Sequence, residues 1–345
     1  MLDEWQVRRL RAYIDLGGTL VLSPENGSKE FSESAAALAA RLYPQYPLRN
    51  LRGDDPIFEV GDPGRAEVLP DALVVSNGAR NLIYIATGDW GYEFQAGNPE
   101  GHRMPWTIMT SIWASATNRG GISGRLTMHL EPRQHRDSTG EVEVLRVQHG
   151  GGWDPEPRAW EMVSNGIWNR FGVHQAVRAV EAKDLGAEKV PLAHLAGIDA
   201  YEFTGEELAG IETYIRNGGT LLVETVGGVG DFSRAAMEQL SRRLGVGSGP
   251  LPASHPVVTG RDLTGGYDNT TAEYRRYAVL KLGFKEPTFW SLSVGGRVAV
   301  VVSHQDLSLG ALGARHWHVL GYETRSARHL LTNFVLWANR GAIGE

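Results

Sequence analysis

Residues 206–242 read EELAGIETYIRNGGTLLVETVGGVGDFSRAAMEQLSR, and this stretch decides the fold of the 345-residue chain. Apolar residues at helical spacing end at Asn217-Gly218-Gly219, a short apolar strand follows, and a glycine-rich turn leads into a second helix. Strands that alternate with helices and are apolar throughout are typical of a mainly parallel sheet covered on both faces. The stretch therefore predicts an α/β fold of the doubly wound kind.

The same pattern occurs earlier in the chain, at residues 5–41, which read WQVRRLRAYIDLGGTLVLSPENGSKEFSESAAALAAR. Eleven of 37 positions are identical without a gap, and both copies contain Tyr-Ile-x-x-Gly-Gly-Thr-Leu. Further along, Asp55-Pro56 corresponds to His255-Pro256, and Asp89, at the end of a predicted strand, corresponds to Asp306. We therefore predict two α/β domains in tandem.

The two copies differ in what precedes them. The second follows about sixty residues of apparently folded sequence, whereas the first begins close to Met1. We therefore predict an N-terminally incomplete domain at 1–120 that lacks its first βαβ elements, a linker at 121–141, and a complete domain at 142–345. The open sheet edge of the first domain has three candidate covers: a strand at 125–130, the second copy, or an upstream segment of a longer native protein. We favour the upstream segment, with the second copy contributing.

Local pattern predicts the elements of both domains. In the second, we predict strands at 142–147, 190–196, 220–224, 288–293 and 298–303, and helices at 157–171, 205–217, 231–245 and 323–340. In the first, we predict helices at 3–16, 31–43 and 104–118, and strands at 19–22, 72–76 and 81–87.

Composition excludes several classes of function. A net charge of −6 without a concentrated basic tract argues against nucleic-acid binding, which depends mainly on neutralising phosphates. The chain has no cysteine, which excludes disulfides, a thiolate nucleophile and Cys-ligated metal sites. No apolar run is long enough to cross a bilayer, and the N-terminus does not have the pattern of a signal peptide.

Several runs resemble a bacterial family of unknown function that has the class I glutamine amidotransferase-like, or flavodoxin-like, fold. They are VEVLRVQHGGGWDPEPRAW, PLAHLAG, FTGEELAGIETYIRNGGTLLVET, HPV and GGRVAVVVSHQDLSLG. The resemblance covers 142–340 and extends in weaker form to 1–120 through the repeat. It implies a tandem of flavodoxin-like, parallel-sheet domains, sometimes with membrane or exported segments upstream, and hence an association with the cell envelope.

An active class I amidotransferase needs a cysteine at a tight strand-to-helix turn. Here that turn reads Glu224-Thr225-Val226-Gly227-Gly228, so glutaminase chemistry is excluded. Relatives of this kind often carry acidic residues at the turn; Glu224 matches that pattern, and Thr225 departs from it.

In doubly wound sheets, ligands bind beyond the carboxyl ends of the strands. In the second domain this places His194 near the candidate catalytic residues Glu224, His304 and Asp306, a set that could hold a divalent metal or act as acid and base. The candidate ligand-binding residues are His149, Gly151, Trp153, Asp154, Gly228 and Asp231. The competing interpretation is structural, with Asp154 and Asp231 as helix caps and Trp153 packed on its loop.

Other motifs give weaker signals. Ser303, His304 and Asp306 lack the Gly-x-Ser-x-Gly elbow of a serine hydrolase. The glycine-rich turn at 227–230 resembles a phosphate cradle, but it lacks a P-loop lysine and adds the negative charge of Asp231.

Two further segments each allow two interpretations. His316-Trp317-His318 would place two imidazoles on one face of a strand, as a metal pair or, as we favour, as surface histidines. Residues 90–106, with Trp90, Tyr92, His102, Arg103 and Trp106, form either a packed loop or a contact site for sugar or peptide.

The function that we predict is a non-catalytic binding or assembly module on a degenerate amidotransferase-like fold, with a protein or carbohydrate partner. The alternative is a metal-assisted hydrolase with its site at the strand ends of the second domain. The sequence identifies no cofactor.

Overall fold

The computed structural model describes residues 2–60, 72–98, 100, 103–119, 131–283 and 287–340. The chain divides into two compact units, the first drawn from residues 1–127 and 314–318, the second from 128–313 and 319–345. The predicted strand at 125–130 lies outside the described residues, as does His102.

The described residues of the first unit form a mixed sheet of four short strands and four α-helices. Its elements are α1 (Glu4–Asp15), β1 (Leu20–Leu22), α2 (Lys29–Leu42), β2 (Leu48–Asn50), β3 (Ala72–Ser76), β4 (Asn81–Ala86), α3 (Trp90–Ala96) and α4 (Arg103–Ala116). Strand order in the sheet is β1-β4-β3-β2, with β1 parallel to β4 and the other pairs antiparallel.

The second unit is built around a seven-stranded sheet. Its first elements are β5 (Gly140–Gln148), α5 (Ala159–Phe171), β6 (Val173–Glu181), β7 (Leu192–Gly197), α6 (Gly205–Arg216), β8 (Thr220–Thr225) and α7 (Phe232–Leu244). The remaining elements are β9 (Ser248–Pro250), α8 (Pro256–Thr259), α9 (Arg276–Leu282), β10 (Trp290–Val294), β11 (Arg297–Ser303), α10 (Ser308–Leu312) and α11 (Thr324–Ala338).

Helices cover both faces of the seven-stranded sheet. Strand order is β6-β5-β7-β8-β11-β10-β9, parallel from β6 to β11 and antiparallel at β10 and β9. One apolar core joins the sheet to α5 and α11, and the other joins it to α6 and α7. The unit is therefore an α/β layer structure in which the parallel strands end at a common edge.

The four-stranded sheet repeats the last four strands of the larger one. Its order β1-β4-β3-β2 corresponds to β8-β11-β10-β9, with the same sense of pairing at each step. Both hairpins carry a register shift at the equivalent place, Val75/Ser76 in the first and Leu292/Ser293 in the second. The internal repeat in the sequence is thus also a repeat of topology.

The repeated helix begins in the same way in both units. Asp3 forms a capping box with Gln6 before α1, and Thr204 forms one with Glu207 before α6. Both helices end before a pair of glycines, of which Gly17 and Gly218 have positive φ.

The structure differs from the sequence expectations in three respects. A mainly parallel sheet was expected in both domains, but two of the three pairings in the four-stranded sheet are antiparallel. Residues 90–106 were expected to be a loop, but α3 lies there, capped by Asp89, whose side chain accepts a hydrogen bond from the Tyr92 amide. Strand β6, with its half-exposed alternating pattern, was not predicted.

No helix among the described residues combines the length and the apolar character that crossing a bilayer requires.

Candidate functional site

Two buried carboxylates lie at the carboxyl ends of neighbouring strands in the second unit. Glu224 is in β8, and Asp306 follows β11 directly. The strands are parallel, and Glu224 is paired with Ser303, so their ends meet at one edge of the sheet. Both carboxylates are 0% exposed. The structure therefore brings together two of the three residues predicted as catalytic.

Glu224 is surrounded by hydrogen-bond donors from its own chain. Its Oε1 accepts from the backbone amides of Leu307 and Ser308, both at 2.7 Å. Its Oε2 lies 2.8 Å from Nε2 of His194 and accepts from the Ser308 hydroxyl at 2.9 Å. A carboxylate has about four acceptor positions. All four are occupied within the protein, and none faces solvent.

The protonation of Glu224 follows from two opposing effects. Burial acts to raise the pKa of its carboxyl group, whereas the hydrogen bond from His194 and those from the Ser308 and Leu307 amides act to lower it, and the net direction is downward. Glu224 is thus held as a carboxylate, although it is buried.

Asp306 connects two backbone segments. Its Oδ1 accepts from the Gly227 amide at 2.9 Å and from the Leu309 amide at 3.2 Å, and its Oδ2 accepts from the Gly310 amide at 2.9 Å. Burial and the neighbouring charge of Glu224 raise the pKa of Asp306 to about 7. The side chain therefore ties the turn after β8 to the start of α10, and we call this arrangement the aspartate clasp.

The first unit contains the same clasp at the equivalent position. Asp89 accepts hydrogen bonds from the Asn26 amide, in the turn after β1, at 2.7 Å and from the Tyr92 amide, at the start of α3, at 2.8 Å. Asn26 and Gly227 both adopt positive φ. The hydrogen bonds from the Tyr92 and Asn26 amides lower the pKa of Asp89, and the opposing effect of burial is smaller.

His304, the third predicted catalytic residue, belongs to a different hydrogen-bond chain. Its Nδ1 lies 2.8 Å from the Ser233 hydroxyl, which in turn accepts from the Thr225 hydroxyl at 2.6 Å. Burial and the charge of Arg234 lower the pKa of His304. Ser233 is itself buried, with 1% of its surface exposed. The imidazole beside Glu224 is therefore that of His194 and not that of His304.

The predicted ligand-binding residues of the first loop make contacts within the unit. His149 is buried, with Nε2 2.9 Å from the Ala196 carbonyl oxygen and its ring stacked on Phe232 at 5.1 Å. Asp154 pairs with Arg146, whose guanidinium lies over the Trp153 ring. Gly151, Trp153 and Asp154 are all half-buried.

The two predicted residues of the second loop have different environments. Gly228 has φ +70°, and a Cβ at this position would lie 2.0 Å from the Leu320 carbonyl oxygen. Asp231 is exposed and bonds to Arg234 at 2.6 Å. It occupies the N-cap position of α7 without forming a side-chain cap. The glycine is thus required by close backbone packing.

Other residues singled out in the sequence have mixed surroundings in the first unit. Trp90 is 1% exposed and belongs to the core, Tyr92 is 62% exposed, and Trp106 is half-buried. His316 is buried, with Nε2 3.2 Å from the Gly17 carbonyl oxygen, so the expectation of a surface histidine was wrong for this residue.

Sequence reasoning missed the hydrogen-bond partners of two histidines, His194 and His304. Trp160 of α5 donates its indole N–H to Nδ1 of His194 at 2.9 Å. The available signal was a histidine in the middle of an apolar strand, where it must find polar partners. The Ser233–His304 contact had no recognisable signal. Within the described part of the chain, no group of three or more His, Asp and Glu side chains is arranged to hold a metal ion.

A family model described as "Domain of unknown function (DUF4159)" matches residues 143–338, which is more than half of the chain. No curated protein matches the chain.

Proposed function

Because the chain belongs to the DUF4159 family of domains of unknown function, we propose its function from the chemistry of its own residues: the second domain is a non-catalytic binding or assembly module. It is built on a degenerate amidotransferase-like frame, whose strand-end carboxylates hold the fold together. Its partner is a protein or a carbohydrate that contacts the loops beyond the parallel strands.

The observation that carries this proposal is the repetition of the aspartate clasp. Asp89 and Asp306 form equivalent hydrogen bonds in the two units. The position equivalent to Glu224 in the first unit is Ser23, and the position equivalent to His304 is Thr87. The clasp recurs without the other candidate catalytic residues, and its structural role explains this: in both units it ties the turn after one strand to the start of a helix. Asp306 therefore needs no catalytic role to account for its position.

The hydrogen bonds that Glu224 already accepts support the same proposal. A metal ligand or a general base must present a lone pair to the metal or to the substrate. Both oxygens of Glu224 already accept two hydrogen bonds each inside the protein. Their use in chemistry would first require opening the start of α10.

Divalent metals test the proposal against the alternative of a metal-assisted hydrolase. Thermal unfolding of the full chain is measured with and without Mg²⁺, Mn²⁺ and Zn²⁺, and hydrolysis of ester, amide and phosphoester probes is followed in parallel. We expect no saturable metal-dependent rise in Tm and no turnover, because a bound metal would stabilise the folded state by mass action.

The matched variants are Glu224→Gln and His304→Gln. Metal-dependent turnover that both variants abolish would replace the proposal with the hydrolase that uses Glu224, His304 and Asp306. Because Glu224→Gln disturbs a buried network, the less buried His304 gives the decisive comparison if the first variant does not fold.

A further inference from the structure

A cavity of about 480 Å³ lies between α5 and α11 in the second unit. Gly166 and Arg170, one helical turn apart, line it from α5. Arg325, Arg328 and His329, spaced by three and four residues, line it from α11. The volume falls in the range of sites for small molecules. Because Gly166 has no side chain, the carboxylate of Glu131 can approach α5 closely; a Cβ on Gly166 would lie 3.3 Å from Oε2 of Glu131.

The lining of this cavity is rich in cations. Three guanidinium groups, those of Arg170, Arg325 and Arg328, face a single carboxylate, that of Glu131. The guanidinium of Arg328 already has partners within the protein: its Nε donates to the Ala311 carbonyl oxygen at 2.7 Å, and its Nη1 lies 3.7 Å from Oε2 of Glu131. Arg325 is exposed and, among the described residues, forms no hydrogen bond or ion pair. The lining therefore has an excess of positive charge.

Aromatic rings form one side of the cavity. The rings of Tyr267 and His329 stack with centroids 3.6 Å apart and an angle of 6°, and the guanidinium of Arg170 lies 4.0 Å from the Tyr267 centroid. Burial and the charges of Arg325 and Arg170 lower the pKa of His329 to about 4. The imidazole of His329 is therefore neutral at pH 7. The positive charge on this side of the cavity comes from Arg170 and Arg325.

We propose that this cavity binds a small molecule carrying a doubly charged oxyanion, either a phosphate or a pair of carboxylates. The guanidinium groups of Arg325 and Arg170 form the main contacts. Arginine is suited to this role because its planar donors match phosphate and carboxylate oxygens in pairs. The proposal goes beyond the proposed function, because it places a small-molecule site at the faces of α5 and α11 and not at the loops beyond the parallel strands.

Binding is tested with the full chain, at a constant ionic strength of about 0.15 M so that general screening is fixed. Inorganic phosphate and pyrophosphate are the phosphate probes, and malonate is the dicarboxylate probe. Calorimetry measures affinity, and the NMR signals of the His329 and Tyr267 rings report occupancy of this cavity. We expect saturable 1:1 binding of at least one probe; the preferred probe distinguishes phosphate from carboxylate ligands.

The diagnostic variant is Arg325→Gln, and the matched control is Arg242→Gln. Arg242 is also an exposed helical arginine without a partner among the described residues, but it lies on α7, away from the cavity. Arg325→Gln should weaken binding about tenfold or more, as expected for the loss of a charged hydrogen bond, and Arg242→Gln should leave it unchanged. Equal loss in both variants, or no saturable binding of any probe, overturns the site.

The two proposals fail separately. Release of phosphate from p-nitrophenyl phosphate, lost in Arg325→Gln, would overturn the non-catalytic function and leave the anion site in place. Absence of probe binding, together with no metal-dependent turnover, would remove only the anion site.

Discussion

Nε2 of His194 lies 2.8 Å from Oε2 of Glu224. The hydrogen-bond partner of the other ring nitrogen, Nδ1, determines whether Nε2 carries the proton of this contact. Nδ1 receives the indole N–H of Trp160 at 2.9 Å. Because an indole only donates, Nδ1 must be unprotonated, and the proton of the neutral ring is on Nε2. The pair is therefore a neutral imidazole donating to a buried carboxylate, which spares the fold a second buried charge.

This arrangement predicts the tautomer of His194 and the effect of removing Trp160. In ¹⁵N NMR spectra of the imidazole, His194 should be the Nε2–H tautomer at pH 7. Trp160→Phe keeps an aromatic ring but leaves Nδ1 of His194 without its donor, and should lower the free energy of unfolding by about 1–3 kcal/mol. A protonated Nδ1 in the wild-type chain would contradict the proposed hydrogen-bond direction.

The aspartate clasps predict a pH dependence that differs between the two units. The pKa of Asp306 is raised to about 7 by burial and by the charge of Glu224, from an ordinary value of 3.8 for an aspartate. Between about pH 4 and pH 7, the folded state keeps a proton that the unfolded state releases. Stability from this group is therefore present at low pH and is lost as pH rises to about 7, with a slope of up to ~1.4 kcal/mol per pH unit.

Asp306→Asn should remove this slope, which urea unfolding of the full chain at pH 4.5–7.5 would measure. The matched control is Asp89→Asn. The pKa of Asp89 is lowered by hydrogen bonds from the Tyr92 and Asn26 amides. Asp89 therefore contributes to stability above the pKa that it has in the unfolded chain. This contribution is lost only as pH falls through its lower pKa in the folded state, below about pH 4. A slope that survives in Asp306→Asn would show that another group titrates in this range.

Gly228 and Gly245 provide a matched pair that separates backbone strain from steric conflict. Both have similar positive φ, +70° and +68°, but a Cβ on Gly228 would lie 2.0 Å from the Leu320 carbonyl oxygen, whereas nothing lies within 4 Å at Gly245. Gly245→Ala should lose about 1 kcal/mol by strain alone, and Gly228→Ala about 1–3 kcal/mol more by overpacking. Thermal unfolding measures the difference; equal losses would mean that the turn after β8 relaxes freely.

Much of the fold could be predicted because the apolar pattern that defines a strand or a helix is local. The repeat at 5–41 and 206–242 identified the helix, strand and helix common to both units, and Asp89 and Asp306 were matched from sequence alone. The antiparallel β10–β11 hairpin was not recognised, although Gly295-Gly296 between two apolar runs is a hairpin signal. Strand β6 was not predicted from the sequence, because a half-exposed edge strand has a weak apolar pattern.

The candidate site was less predictable than the fold. Sequence proximity placed His304 beside Asp306, but β11 ends at Ser303 and the chain bends at residues 304–305, so the two side chains do not keep the alternation of a strand, and His304 bonds to Ser233 on α7. The histidine that reaches Glu224 comes from β7, 30 residues earlier. The cavity between α5 and α11 could not be predicted, because its residues come from two helices distant in sequence and become neighbours only through packing.

Arg80 and Arg297 predict equivalent local effects in the two units. Arg80 donates to the carbonyl oxygens of Ile14 and Gly18 at 2.6 and 2.9 Å, and Arg297 donates to those of Ile215 and Gly219 at 2.6 and 2.8 Å. Each arginine thus bonds to one carbonyl in the last turn of the repeated helix, which also accepts from the first glycine amide after the helix, and to the carbonyl of the second glycine.

Methionine keeps much of the arginine side-chain volume but cannot donate these hydrogen bonds. Arg80→Met should accelerate amide hydrogen exchange at the end of α1, and Arg297→Met should do so at the end of α6, each by the equivalent of about 1.5–3 kcal/mol for hydrogen bonds from a charged donor. Hydrogen exchange with mass spectrometry resolves the two helices within one chain, so each variant is the control for the other. If both variants accelerated exchange at both helices, the effect would be global destabilisation, and the arginines would not act as local caps.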